Sequence, residues 1–320
     1  MWDRKHLLDI ECFSRGDFEG IFFMADGMVP ISGIDKKKDR KRIYVANGDI
    51  MTVWFEPEYE NSTRTSGSFE GAMMRLGGSC KKFNEKESSM SKGESVEDTA
   101  RILSQHTDLI VDRHTDPKHV YRLAKAATVP VVNGGNGSYQ HPTQTIQDFY
   151  TIRKRRGRVD GATIAIIGDM KNGRVVHSLC SGLLPFENVK VAGVHQEGYG
   201  LPKEFRPKFY ESRQIDMSRL DKELADINPD IVYVTRPQTE RGSAMQPYCV
   251  NANTMKCLRP DAMVMHALPR DSKSGPEIAY EVDADPRAAY FEQAAYGVPV
   301  RMAIISAIMD YDGKIRRASS

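Results

Sequence analysis

Several features that define other classes of protein are missing from this chain of 320 residues. Its five cysteines are odd in number and scattered, without a Cys-x-x-Cys pair, which argues against a disulfide framework and a structural zinc site. No apolar run approaches the ~18–20 residues that a membrane span requires, and the first six residues lack the apolar core of a secretion signal. We therefore expect a soluble, cytoplasmic protein with reduced thiols and no membrane partner.

The chain also lacks an excess of charge and the motifs of several enzyme classes. Its 45 Lys and Arg residues nearly balance 43 Asp and Glu residues, and the net charge of +2 suggests neither a nucleic-acid surface nor a polyacidic partner. It contains no Gly-x-Gly-x-x-Gly dinucleotide motif, no Ser-His-Asp order, no paired carboxylates and no metal-ligand cluster. The sequence thus predicts no metal and no cofactor, and a chemistry that relies on positioning and electrostatic stabilisation.

An alternation of strand and helix patterns is present instead. Residues 50–55 are rich in β-branched and aromatic side chains, whereas residues 142–152 open with proline and repeat apolar residues at helical spacing. This alternation predicts an α/β fold of two doubly wound domains, each with a central parallel sheet flanked by helices. Strands of the second half are predicted at residues 163–167, 189–194, 231–234 and 262–265.

A charge run at residues 153–157 marks a predicted domain boundary. We assign residues 1–145 to the first domain and 146–292 to the second, with a C-terminal helix at about 293–312 that packs back on the first domain. Residues 313–320 are predicted to be a disordered tail. Three connections are predicted as loops, namely the basic residues 36–42, the polar, serine-rich and mobile residues 81–92, and the glycine-rich residues 133–138.

The stretch Ser62-Thr63-Arg64-Thr65 lies between the first predicted strand and a short amphipathic helix. Ser62 is a good N-cap, which makes the next three residues the first helical turn. A helix start offers free backbone N–H groups and the positive end of the macrodipole, and both suit a phosphate. On its own, such a stretch is more often an ordinary cap with a solvated Arg. The residues at other strand ends favour an anion-binding site.

Cations recur where predicted strands end, which is where ligands gather in open α/β sheets. Each has an alternative structural explanation, because Arg113 could pair with Asp112 or Asp116 and His141 could cap a helix. Six strand ends with the same bias are harder to explain structurally, since the cations would repel one another without anions between them. The sequence therefore predicts a pocket for small polyanions, built from residues 62–65, 113–114, 141, 169–174, 235–238 and 266–270.

On the basis of these residues, the chain resembles the aspartate/ornithine carbamoyltransferase superfamily, and within it the aspartate carbamoyltransferases. The resemblance covers about residues 13 to 309, with the motifs in family order. The matching stretches include Phe55-Glu56-Pro57, Ser62-Thr63-Arg64-Thr65, Ser68-Phe69-Glu70, Met74-Arg75-Leu76-Gly77-Gly78, Lys92-Gly93-Glu94-Ser95, His141-Pro142-Thr143-Gln144-Thr145, Gly173-Arg174, Thr235-Arg236-Pro237-Gln238 and His266-Ala267-Leu268-Pro269-Arg270.

The resemblance implies transfer of the carbamoyl group of carbamoyl phosphate to the α-amine of L-aspartate, in de novo pyrimidine biosynthesis. It implies that the first domain binds carbamoyl phosphate through Ser62, Thr63, Arg64, Thr65, Arg113, His141 and Gln144. Of these, Thr65, Arg113 and His141 would polarise the carbonyl, and Gln144 would contact the amino group. The second domain would bind aspartate through Arg174, Arg236, Gln238 and the backbone at Leu268 and Pro269. Ser88 and Lys92 would reach the aspartate site of a neighbouring subunit, which implies a homotrimer with shared active sites.

Three positions depart from the family pattern. Residues 58–61 are inserted between the Phe-Glu-Pro and Ser-Thr-Arg-Thr motifs, and their two carboxylates could weaken phosphate binding by repulsion. Ser66 stands where Arg is common, and Val175 stands where Thr often contacts aspartate. No principal charge is lost, so we expect activity with weaker affinity for aspartate.

Two alternative functions remain open from the sequence. The first is transfer to another amine such as ornithine, which is disfavoured because Ala267 replaces a typical Cys and Arg236 would repel an ornithine side chain. The second is an inactive phosphate-binding scaffold, which gains some support from the insertion at residues 58–61. The sequence does not indicate whether a regulatory chain binds.

Overall fold

The structure of the protein is a computed structural model. The structure describes residues 2–34, 43–56, 62–239, 242–272 and 275–311. Across these ranges, no helix has both the length and the apolar character that crossing a bilayer would require. The predicted basic loop at residues 36–42, the insertion at 58–61 and the tail at 313–320 lie outside the described residues.

The chain forms two compact units, and each contains its own parallel sheet. Unit 1 consists of residues 1–150 and 295–320, and unit 2 consists of residues 151–294. The sheets have four and five strands and are flanked by helices, so the predicted α/β fold class is confirmed. The strands are β1 Ile50–Phe55, β2 Ser79–Phe83, β3 Leu109–His114, β4 Val131–Asn136, β5 Thr163–Ile167, β6 Lys190–His195, β7 Tyr210–Gln214, β8 Ile231–Val234 and β9 Met263–His266.

The strands of each sheet all run in the same direction. Unit 1 has the order β2-β1-β3-β4, and unit 2 has the order β7-β6-β5-β8-β9. In unit 1, Val53 pairs with Val111, which in turn pairs with Val132, and all three side chains are buried. Because the strands are parallel, their carboxyl ends lie along one edge of each sheet, which is where the polar residues follow.

Ten α-helices connect and cover the strands in the described parts of the chain. They are α1 Arg15–Met28, α2 Thr63–Arg75, α3 Val96–Leu103, α4 His119–Ala126, α5 Pro142–Arg156, α6 Arg174–Gly182, α7 Leu220–Ile227, α8 Ala252–Lys256, α9 Tyr290–Ala295 and α10 Gly297–Ile308. The predicted Ser14 cap of α1 is confirmed, because its hydroxyl accepts the Asp17 N–H and Asp17 returns the bond to the cap backbone. Helix α10 packs against α1 and α2.

Two polar segments that the sequence did not indicate as strands lie at sheet edges. Residues 79–83, of which 81–83 fall in the predicted mobile loop, form β2 beside β1, and residues 85–92 continue as two short 3₁₀ turns. Strand β7, which also carries mostly polar side chains, lies at the edge of the unit 2 sheet beside β6. An edge strand has one neighbour and keeps solvent on its other side, so it needs few apolar residues and leaves a weak sequence signal.

Two further predictions about the elements are wrong. Residues 133–136, predicted to be part of a loop, complete the buried strand β4. Gly134 allows close packing there, because an added Cβ would lie 3.1 Å from the Asp112 carbonyl oxygen and 3.3 Å from the Phe55 ring. The single helix predicted at about 293–312 is in fact two helices, α9 and α10, which meet at Tyr296.

An aromatic cluster fills the core beneath α1. Phe18 is fully buried and contacts Phe13, Phe22 and Phe149 with ring centroids 5.2–6.0 Å apart. Phe23, on the same helix, is 74% exposed. These two phenylalanines are therefore a matched pair for measuring how much burial contributes to the free energy of unfolding.

We expect Phe18→Ala to lower the free energy of unfolding by about 3–5 kcal/mol, because it removes buried surface and leaves a cavity. Phe23→Ala should change it by no more than about 0.5 kcal/mol. Urea unfolding followed by circular dichroism measures both. Equal effects of the two substitutions would contradict this account of the core.

Candidate functional site

The N-terminus of α2 has the geometry that the sequence predicts for an anion site. Ser62 has extended backbone angles (φ −145°, ψ 107°), and its hydroxyl accepts the Thr65 N–H at 3.1 Å. Thr63 and Arg64 are exposed on the first turn, whereas Thr65 is buried. The first turn of α2 therefore presents exposed donors at the positive end of the helix dipole.

Three residues from distant parts of unit 1 meet at the Thr65 hydroxyl. Arg113 Nη1 lies 3.4 Å from Thr65 Oγ1, and His141 Nε2 lies 3.4 Å from the same oxygen. Arg113 also donates to the carbonyl oxygen of Gly134 at 3.2 Å and lies 5.9 Å from the centre of the Phe55 ring. A hydroxyl, a guanidinium and an imidazole are thus gathered at one point, where together they could stabilise negative charge on an oxygen.

Gln144 lies one turn beyond His141 and is oriented by a buried carboxylate. Its Nε2 donates to Asp148 Oδ1 at 2.8 Å, so its carbonyl end is left as an acceptor. Asp148 is fully buried. Nearby, the buried Arg301 of α10 donates to Gln147 Oε1 at 2.7 Å. Burial lowers the pKa of Arg301 to about 10, and the charge of Asp148 opposes that shift.

Asp148 and Arg301 are not among the residues that the sequence predicts for this arrangement. A signal existed for Arg301, which is the only charged residue in the otherwise apolar and small α10 sequence. A single cation in a buried helix indicates a buried partner, because an unpaired charge is costly to remove from water.

In unit 2, Asp169 joins two of the predicted ligand-binding loops. This fully buried residue follows β5, and its Oδ1 accepts the Asn172 N–H at 3.1 Å in the turn that leads to α6. Its Oδ2 accepts the backbone N–H of Gln238, in the loop after β8, at 3.2 Å. Arg174, the first residue of α6, is 6% exposed, and Arg236 is half-buried. The structure therefore brings the predicted residues of unit 2 to one edge of its sheet.

The backbone of Leu268 is held by a buried pair that the sequence analysis did not identify. Leu268 has a left-handed conformation (φ 55°), and its N–H donates to His266 Nδ1 at 2.7 Å. Because that nitrogen accepts, the ring proton is on Nε2, which donates to Glu277 Oε1 at 2.6 Å. Glu277 Oε2 accepts the Asp271 N–H at 3.0 Å. Burial would raise the pKa of Glu277, but the hydrogen bonds that it accepts from His266 and from the Asp271 N–H hold it below its ordinary value.

Ser88 and Lys92 lie in the series of 3₁₀ turns that follows β2 in the described structure. Ser88 caps a 3₁₀ turn, Ser89–Lys92, by accepting the Met90 N–H at 3.2 Å, and Lys92 is exposed. Neither side chain bonds to Thr65. Two of the positions that depart from the family pattern lie in described helices. Ser66, on α2, donates to Glu70, and Val175 is half-buried on α6.

One group in the described ranges has the composition of a metal site. Glu85, His114 and His119 place candidate ligand atoms within 4.8 Å of one another. Two features disfavour a metal. The rings of His114 and His119 stack in parallel, with centroids 4.1 Å apart, so their in-plane lone pairs do not meet. His114 Nδ1 also accepts the Asp116 N–H at 2.9 Å, which leaves the ring proton on the Nε2 that faces Glu85.

We expect Glu277→Gln to lower the free energy of unfolding by about 1–3 kcal/mol at pH 7, because it removes the charge that His266 stabilises. Since the pKa of Glu277 is lowered by folding, its contribution is present above the ordinary Glu pKa and is lost as the pH falls through the folded value. The difference from the native protein should therefore shrink in urea titrations repeated below about pH 4. The exposed Glu204→Gln is the control, and equal effects of the two at pH 7 would refute this role.

Comparison with known proteins gives matches over both units. A family model described as aspartate/ornithine carbamoyltransferase, carbamoyl-P binding domain, matches residues 5–154. A second, described as aspartate/ornithine carbamoyltransferase, Asp/Orn binding domain, matches residues 160–308. An aspartate carbamoyltransferase catalytic subunit from Clostridium botulinum is 39% identical over 316 residues, which cover 95% of this chain and 98% of that protein.

Solved structures are similar over the same extent. An aspartate transcarbamoylase from Trypanosoma cruzi in complex with carbamoyl phosphate has a TM-score of 0.84 at 35% identity, and the match covers 95% of each chain. The same enzyme in complex with N-(phosphonacetyl)-L-aspartic acid has a TM-score of 0.83 at 35% identity, covering 95% of this chain and 94% of that one.

Proposed function

This chain belongs to the aspartate/ornithine carbamoyltransferase family, and we propose that it transfers the carbamoyl group of carbamoyl phosphate to the α-amine of L-aspartate. The products are N-carbamoyl-L-aspartate and phosphate, as required for de novo pyrimidine biosynthesis. The observation that carries the proposal is the meeting of Thr65, Arg113 and His141 beside the capped N-terminus of α2. Two similar proteins support the proposal: one is named an aspartate carbamoyltransferase catalytic subunit, and the other is an aspartate transcarbamoylase in complex with carbamoyl phosphate.

Carbamoyl phosphate is assigned to unit 1, within the predicted domain of residues 1–145. The phosphate would bind the first turn of α2, where backbone N–H groups, Thr63 and Arg64 offer donors. Thr65, Arg113 and His141 would contact the carbonyl oxygen, which becomes more negative as the amine attacks. The acceptor end of Gln144 would take a hydrogen bond from the carbamoyl amino group. No side-chain base is required, because the departing phosphate can accept the amine proton.

Aspartate is assigned to unit 2, within the predicted domain of residues 146–292. Its two carboxylates would pair with Arg174 and Arg236, with Gln238 as a further donor. The backbone at Leu268 and Pro269 would contact the attacking amine, and the His266–Glu277 pair holds that backbone in place. Arg236 disfavours ornithine as the acceptor because it would repel the second amine.

A homotrimer with shared sites is the proposed assembly. Ser88 and Lys92 lie on a segment of unit 1 whose hydrogen bonds do not reach Thr65, and Lys92 is exposed. We propose that these two side chains complete the site of a neighbouring subunit, where Lys92 would bind aspartate. A cytoplasmic location stays a prediction from the odd, scattered cysteines.

We expect the purified protein to form carbamoyl aspartate from carbamoyl phosphate and L-aspartate, and not to turn over ornithine. Thr65→Val should lower kcat by about 10²–10³-fold, because it removes one donor to the developing oxyanion while keeping the shape of the side chain. Colorimetric detection of the carbamoyl product measures both. The buried Thr99→Val, on α3, is the control. Turnover of ornithine alone would refute the assignment, and phosphate binding without any turnover would favour the inactive scaffold.

Shared sites predict complementation between two inactive variants. Arg64→Ala and Lys92→Ala subunits, dissociated and reassociated together, should recover part of the activity because some hybrid sites receive both native side chains. The assay compares the mixture with each variant treated alone. A mixture that forms mixed trimers without any recovery would exclude sharing through Lys92, but would leave the reaction itself unaffected.

A further inference from the structure

The carboxylate of Glu85 connects an exposed segment to two strands of the unit 1 sheet. Glu85 begins a 3₁₀ turn, Glu85–Glu87, and its Oε1 accepts the Trp54 indole N–H at 2.6 Å. The same oxygen lies 3.6 Å from His114 Nε2. Trp54 is fully buried in β1, and His114 is the last residue of β3, directly after Arg113. The proposed reaction uses neither Glu85, Trp54 nor His114.

The two donors that face Glu85 are themselves held in place. The Asp116 N–H donates to His114 Nδ1, so the Nε2 proton of His114 is directed at the carboxylate. The His114 ring stacks on His119, which is 2% exposed and lies 3.0 Å from Asp112 Oδ1 through its Nδ1. Trp54 packs edge-on against the same His119 ring, with centroids 4.8 Å apart. The Glu85 carboxylate therefore accepts a hydrogen bond from a donor that is already in place, Trp54, and lies beside a second fixed N–H group, that of His114.

The segment that follows Glu85 is a continuous series of turns. The Ser88 hydroxyl donates to the Glu85 carbonyl oxygen at 2.8 Å and accepts the Met90 N–H. The Gly93 N–H then donates to the Met90 carbonyl oxygen at 2.9 Å, which closes the turn that carries Lys92. Because each turn is bonded to the one before it, fixing Glu85 restricts the positions of both Ser88 and Lys92.

We propose that Glu85 is a positioning residue for the segment that carries Ser88 and Lys92. Its carboxylate holds the turns of this segment at the Trp54–His114 edge, and thereby sets where the two side chains stand in the reaction. The inference rests on the proposed function, in which Ser88 and Lys92 act in a neighbouring subunit's site. Glu85 contacts no substrate and acts through the backbone that follows it.

The kinetic test compares Glu85→Ala with Glu87→Ala, a residue of the same 3₁₀ turn whose side chain is exposed. Glu85→Ala should raise the KM for aspartate about tenfold or more, with a smaller effect on kcat, because Lys92 is displaced. Glu87→Ala should leave the KM for aspartate and kcat within twofold of the native values. Glu85→Gln, which keeps an oxygen for the Trp54 N–H, should recover part of the loss. Equal KM values for Glu85→Ala and the native protein would overturn the proposal.

Subunit mixing separates this role from an effect of Glu85 on Arg113 through His114. If Glu85 acts through Lys92, its defect belongs to the neighbour's site, and Glu85→Ala should complement Arg64→Ala at low aspartate concentration. If Glu85 acts on Arg113 of its own site, the two defects fall in the same half-site. The mixture would then show no recovery, which would overturn the proposal.

A measurement without substrate keeps the test independent of activity. The chain has two tryptophans, so a Trp2→Phe background leaves Trp54 as the single emitter. Glu85→Ala should shift the Trp54 emission and speed amide hydrogen exchange across residues 85–93, whereas Glu87→Ala should change neither. If the native protein is inactive, the proposed function is refuted, but this measurement still tests whether Glu85 holds the segment in place. If Glu85→Ala changes neither the Trp54 emission nor the amide exchange of residues 85–93, the proposal that Glu85 holds this segment is refuted.

Discussion

The shared direction of the strands is the constraint on which the remaining structure depends. Parallel strands deliver their carboxyl ends to one edge of a sheet, so Arg113 near the end of β3 pairs with Phe55 at the end of β1. In that arrangement the Thr65 hydroxyl lies 3.4 Å from both Arg113 and His141. The candidate chemistry therefore follows from the topology, since these three residues are far apart in the chain.

The parts of the fold that could be predicted are those whose burial leaves a regular pattern. The central strands and the amphipathic helices were predicted because apolar spacing records which face is buried. The edge strands β2 and β7 left no such record, since solvent on one side permits polar residues. Gly134 was misleading for a different reason: glycine usually indicates a turn, but in β4 it allows close packing against Asp112 and Phe55.

The residues of the candidate site also differ in how well the sequence predicts them. Residues proposed to contact substrate have a local signal, because a cation or hydroxyl at a strand end is recognisable without knowing its neighbours. Residues that support them are harder to recognise when their partners are remote: Arg301 stands out as a cation in an apolar helix, but nothing in the sequence links Glu277 to His266, eleven positions away. Supporting residues need only one buried partner each, and a single pair is invisible in the sequence.

Unit 1 is assembled from both ends of the chain, and this has a consequence for biosynthesis. The face of α1 and α2 that α10 covers cannot be closed until residues 297–308 have left the ribosome. Unit 2 is continuous and has no such requirement. Translation therefore completes the second unit's sequence while the first still exposes apolar surface, so the order of folding can oppose the order of synthesis.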